Sequence, residues 1–136
     1  MTPAERLAGR TPDAAEIEAI ARLTLDRLPS PFAESLSDIV LLIEPVADAE
    51  TARSLGLEHP MQLSGLYQGI PLNERSAEHS GTLPERITLY SRPIVEEWRS
   101  TRVNLDRLVS HIVIHEVGHH FGFSDDDMHA LEDEAE

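Results

Sequence analysis

The sequence predicts an α+β domain in which a small mixed sheet packs against helices. Three observations carry this. Two short runs, residues 39–44 (Ile-Val-Leu-Leu-Ile-Glu) and 86–90 (Arg-Ile-Thr-Leu-Tyr), have the length and β-branched composition of strands. Apolar residues recur at helical spacing near the N-terminus, at Ile17, Ile20, Ala21, Leu25 and Leu28. A longer stretch over residues 104–120 is apolar on nearly every helical face, the mark of a buried helix. Strands that alternate with helices imply a mixed sheet and leave α/β as the neighbouring class.

Residues 1–10 lack apolar periodicity and are expected to fray, with residues 11–136 forming a single domain. Thr11 as N-cap and Pro12 at the first helical position open the first helix, and Pro29-Ser30-Pro31 stops it. The run from Ile39 reads as a buried strand ended by Pro45, after which Asp48-Ala49-Glu50 leads into a helical turn over residues 51–55. Residues 61–72 read as a strand interrupted by Gly65 and Gly69, and residues 73–85 as a loop. Residues 86–90 alternate and form the next strand, and Pro93 begins a helix through Glu97 and Trp98. Asn104 as N-cap and Asp106 in the first turn start the long helix. Residues 126–134 close the chain as a short amphipathic helix with Met128 and Leu131 inward.

Composition narrows the classes of function. Hydrophobic residues make up 40% and charged residues 26%, ordinary for a water-soluble domain, and with 4% aromatics the core must be Leu, Ile, Val and Ala. A net charge of −14 argues against nucleic acid and anionic membrane as partners. That charge suits a basic peptide, although a solvated surface is the readier explanation. With no cysteine, neither disulfides nor thiolate ligands are available. No basic-then-apolar leader and no membrane-length apolar run is visible, so a cytoplasmic, monomeric protein is expected.

The chemistry concentrates in His115-Glu116-Val117-Gly118-His119, followed by Gly122 and Asp125. Residues four apart share a helical face, so His115 and His119 can present two imidazoles to one ion, and imidazole is a good zinc ligand. Glu116 sits one step round the helix, placed to act as a general base. Gly122 can end the helix in a left-handed turn and send the chain back, bringing Asp125 in as third ligand. Two imidazoles and a carboxylate leave one tetrahedral position open, as in a catalytic zinc site.

This H-E-x-x-H-x-x-G-x-x-D pattern resembles the metzincin signature, with aspartate in place of the third histidine. It is most similar to the bacterial zincin-like family of minimal metallopeptidases, with an acidic, Met-containing segment (Asp126, Asp127, Met128) following it. The likeness extends over about residues 12 to 134 and includes the strand-like runs at Ile39 and Ile87. It implies a zinc-dependent peptidase: zinc on His115, His119 and Asp125, Glu116 as catalytic base, a peptide or protein as substrate. It also implies that the strand over residues 87–90 borders the cleft and takes a peptide as an added strand. Little chain follows Asp125, so a shallow site with weak or narrow specificity is expected.

Each residue has a plainer reading. The histidine pair can be a chance match on a surface helix. Asp126, Asp127 and Glu132 compete with Asp125 for the ion, and His129 as a fourth ligand would make the zinc structural. His111, one turn before His115, reads better as a core histidine than as its partner. His120 is turned about 100° from His119 and is a poor ligand for the same ion. Met128 reads as core packing, and Tyr90, a conceivable oxyanion donor, as a packed strand tyrosine. The rival from another class is a catalytically weak or inactive metal-binding or protein-interaction module.

Overall fold

A computed structural model describes residues 11–30, 32–36, 38–69 and 85–121, together with Asp126 and Ala130; the side chains of Ser35 and of residues 119–121 are outside the description. The elements in chain order are α1 (Ala14–Asp26), α2 (Phe32–Ser35), β1 (Val40–Glu44), α3 (Ala49–Ser54), a 3₁₀ turn (Pro60–Gln62), β2 (Gly65–Gln68), β3 (Arg86–Tyr90), α4 (Ser91–Thr101) and α5 (Leu105–Phe121). The sheet order is β1-β3-β2, with β1 parallel and β2 antiparallel to β3. Helices around a small mixed sheet make this an α+β fold, as the sequence predicts.

β3 is the centre of the sheet, and its burial shows it. Ile87, Thr88, Leu89 and Tyr90 are all buried, on both faces. β1 departs in the opposite sense. Read as a buried strand, it is an outer one: Leu41 is buried while Val40 and Leu42 are each 37% exposed. One face of β1 packs on α1 and, among the described residues, one of its edges is paired, so a continuous apolar run did not mean two covered faces.

The helix starts show where side-chain hydrogen bonding overrides simpler signals. α1 begins at Ala14, two residues beyond Pro12, because Asp13 is the N-cap, its Oδ1 accepting from Glu16 N at 2.9 Å. Thr11 instead accepts from Arg99 Nη2 at 2.8 Å, tying the entry of α1 to α4. α4 starts at Ser91, two residues before Pro93. The first amides of a helix have no intrahelical acceptor, so proline at the third position removes no bond. Asp48 caps α3 through Thr51 N at 2.7 Å, and Asn104 caps α5 through Asp106 N at 2.7 Å, the latter as the sequence predicts. Two short elements, α2 and the 3₁₀ turn capped by His59, carried no helical periodicity to announce them.

The core lies between α1, the sheet, α4 and α5. Ile17, Ile87, Leu89, Ile94, Val109 and Val113 are each completely buried, and each large aliphatic side chain so buried contributes about 1.5–3 kcal/mol. Thr24 and Ser110 share a 2.8 Å hydrogen bond where α1 crosses α5, which satisfies polar groups inside an otherwise aliphatic seam. No helix among the described residues is long and apolar enough to cross a membrane. The expected frayed N-terminus, the loop over residues 73–84 and most of the closing helix lie outside the described residues; Asp126 and Ala130 within that last segment are helical and exposed.

Candidate functional site

The site is built on α5, which packs against α1, α4 and β2. Leu105, Leu108, Val109, Val113 and Val117 form its inward face. Although the sequence implied a helix buried all round, one flank is open: Arg107 and His111 are exposed and His115 is half-buried. These three recur every four residues and so form one stripe. His111 is therefore not a core histidine. Its ring centroid lies 4.3 Å from that of His115, with the planes tilted by 54°.

Glu116 follows His115, turned by about 100°, and the turn takes it from the open flank into the seam between α5 and β2. It is only 8% exposed, and its Oε2 accepts a hydrogen bond from the main-chain N–H of Tyr67 at 2.8 Å. Burial of a bare carboxylate is costly, and a charge-assisted bond to an amide offsets that cost. The catalytic candidate of the sequence is thus a buried, hydrogen-bonded acid beside a half-open imidazole.

Gly65 makes this contact possible. A Cβ at that position would stand 2.8 Å from Ile112 Cγ2, 3.3 Å from Leu89 Cδ2 and 3.4 Å from Glu116 Cγ. Only a residue without a side chain lets β2 come this close to the helix. The antiparallel register then fixes which groups of β2 face outward. Tyr90 N donates to Ser64 O at 3.0 Å, so Ser64, Leu66 and Gln68 bond towards β3 while Gly65 and Tyr67 turn their main-chain groups away from it. The Tyr67 amide that meets Glu116 belongs to that outward set.

The same register corrects the expected place of a bound peptide. Both edges of β3 are taken, by β1 and β2, so no strand can add to residues 87–90. The strand alongside Glu116 is β2. Tyr90 lies buried at the end of β3, and its phenol is held above its usual pKa, first by burial, then by the negative charges of Glu44 and Asp48, with Glu116 adding a smaller push against the opposing Arg86. It is a packed, protonated tyrosine at neutral pH.

His119 occupies the helical position one turn after His115, within α5. α5 extends to Phe121, the residue before Gly122. The side chains of His119 and His120 lie outside the described residues, as do Asp125 and its competitors Asp127 and Glu132, and also Met128 and His129. Among the described residues no three His, Asp or Glu side chains gather as a metal site. The described part of the set has the right chemistry: His115 is an accessible imidazole, and the neighbouring carboxylate is buried and hydrogen-bonded. Tyr67 and Gly65 were missed as parts of the site, although a glycine inside a strand is itself a sign of close backbone approach.

The family profile of zincin-like metallopeptidases matches residues 36–135, which takes in β1, β2, β3, α4 and the whole of α5. Among curated proteins, none matches the chain. A match over most of the chain, on a small α+β fold with the histidine-bearing helix against the sheet, settles its kinship: the chain belongs to the zincin-like metallopeptidase family.

Proposed function

We propose that this protein is a zinc-dependent peptidase in which His115, His119 and Asp125 hold the ion and Glu116 is the general base. The observation that carries the reading is the buried Glu116 carboxylate beside the half-open His115, in a chain of this family. The ion, when bound, supplies Lewis acidity towards water and the scissile carbonyl. Glu116 takes the proton of the attacking water on its carboxylate and returns it to the leaving nitrogen. Its hydrogen bond to β2 fixes the side chain before substrate arrives, which spares that ordering cost during reaction. A peptide in extended form lies along the outward edge of β2, where the main-chain groups of Gly65 and Tyr67 face away from the sheet.

The test combines metal content with turnover. Protein purified without chelator is expected to carry about one zinc per chain, and His119→Ala to carry none. Glu116→Gln should keep the ion and lose peptide cleavage by about 10²–10⁴-fold. Asp125→Ala should lose both. Zinc-loaded wild type that cleaves no member of a broad peptide library would overturn the peptidase reading in favour of a non-catalytic metal-binding module. Cleavage at the wild-type rate by Glu116→Gln would remove that residue from the base role.

A further inference from the structure

The contact between Glu116 and β2 goes beyond anchoring a buried acid. We propose that the main-chain amide of Tyr67 is the positioning group for the Glu116 carboxylate, so that β2 aims the base. This rests on the peptidase reading given above and adds a residue that the zinc motif does not contain.

Three observations converge. The Tyr67 N–H to Glu116 Oε2 bond is short, 2.8 Å, and the acceptor is buried, so the bond is charge-assisted in a poorly solvated place. The amide comes from the outward set of β2, so its donation to Glu116 takes no bond from the β2–β3 ladder. Gly65, two residues earlier on the same face of the strand, leaves the space through which the Glu116 side chain passes, with Glu116 Cγ 3.4 Å from where a Cβ would stand. Strand, glycine and carboxylate thus form one arrangement.

The arrangement has a chemical consequence. A carboxylate has two oxygens, and a donor on Oε2 fixes the plane of the group and the direction in which Oε1 faces. A base fixed in this way accepts a proton from one direction without first searching rotamers, a contribution to kcat rather than to substrate affinity. It also withdraws one outward donor of β2 from substrate. A peptide laid on this edge finds the Tyr67 amide already engaged.

Tyr67→Pro removes the N–H, and proline is tolerated on an edge strand where the amide faces away from the ladder. Tyr67→Ala loses the same phenol ring but keeps the amide, so the difference between the two isolates the donor. Relative to Tyr67→Ala, Tyr67→Pro is expected to lower kcat about ten- to hundredfold, as for loss of a bond to a charged group, with KM moved less than threefold and zinc content unchanged. Equal kcat in the two variants overturns the proposal and leaves the peptidase reading standing. A second measurement does not depend on the proline variant folding. The Tyr67 amide proton of the zinc-loaded wild type should resonate downfield, and Glu116→Gln, which keeps the shape and removes the charge, should shift it upfield. An amide indifferent to that substitution overturns the contact whether or not any peptide is cleaved. If wild type cleaves nothing, the peptidase reading fails, and a Tyr67 amide that still responds supports the positioning contact by itself.

Discussion

The seam between α5 and β2 can be opened by one methyl group. In Gly65→Ala the new Cβ would lie 2.8 Å from Ile112 Cγ2, where ordinary contact begins at 3.4 Å. Ile112 is β-branched and its Cγ2 cannot swing away without an unfavourable rotamer, and Leu89 Cδ2 crowds the same point at 3.3 Å. The helix and strand must therefore part by roughly half an ångström or more, an overpacking strain that costs about 1–3 kcal/mol. For a chain of 136 residues this lowers Tm by roughly 3–12 °C. The same displacement lengthens the 2.8 Å bond from Tyr67 N to Glu116 towards the limit at which it weakens. Thermal melts followed by circular dichroism measure the first effect. Ile112→Ala in the same chain removes the atom that the new methyl meets, so the double variant should melt higher than the sum of the two single losses. A coupling of about 0.5–2 kcal/mol is expected from such a contact. Gly65→Ala melting within a degree of wild type, or strict additivity in the double variant, would show that β2 is not held against the helix as described.

Three further outcomes follow from other contacts. Thr24→Val removes the hydroxyl that meets Ser110 at 2.8 Å and leaves that serine to find another partner, a loss of about 1–2 kcal/mol measurable by urea denaturation. The Asp48 carboxyl is held below its ordinary pKa first by the Thr51 amide and then by the Thr51 hydroxyl. Its stabilising contribution is therefore full above the unfolded-state pKa and disappears as pH falls through the lower folded value, so the Tm gap between wild type and Asp48→Asn should close on acidification below pH ~4. Tyr90 is shifted the other way, raised by burial first and by Glu44 next. Its neutral form is the one the fold favours, and stability should decline as pH rises from ~10 through the folded pKa, a decline that is reduced in Tyr90→Phe.

How far the fold was legible depends on whether a signal was local. Asn104, with Asp106 two residues on, marks the start of α5 because capping is a matter of a few adjacent atoms. The β-branched runs at Val40 and Ile87 reveal strands for the same reason. What those runs do not carry is sheet order. β1 and β3 look alike in sequence, yet Leu42 is 37% exposed and Leu89 completely buried, because among the described residues β3 has a strand on both sides and β1 on one. The position of a site partner depends on that order too. Glu116 was legible as the candidate base from its place between His115 and His119; Tyr67, 49 residues away, meets it through an amide, which every residue but proline has. A main-chain donor leaves no trace in the side-chain alphabet. Gly65 was the one trace available, a missing side chain where a strand would otherwise have one.

That absence also joins stability to chemistry. Among the described residues the sheet has three strands, so its two outer edges are a large part of it, and an outer edge invites unwanted pairing unless something covers it. At Tyr67 the cover is the carboxylate of the proposed base itself. The residue that protects the edge is thus the one proposed to react. Exchanging Glu116 for an apolar residue would leave the Tyr67 amide to seek a new acceptor at the seam as well as deleting the proposed base. Glutamine keeps an acceptor oxygen and most of the packing, which is why it is the substitution that separates the two roles. Retained Tm with lost cleavage in Glu116→Gln, against lowered Tm in Glu116→Leu, would show one side chain serving both.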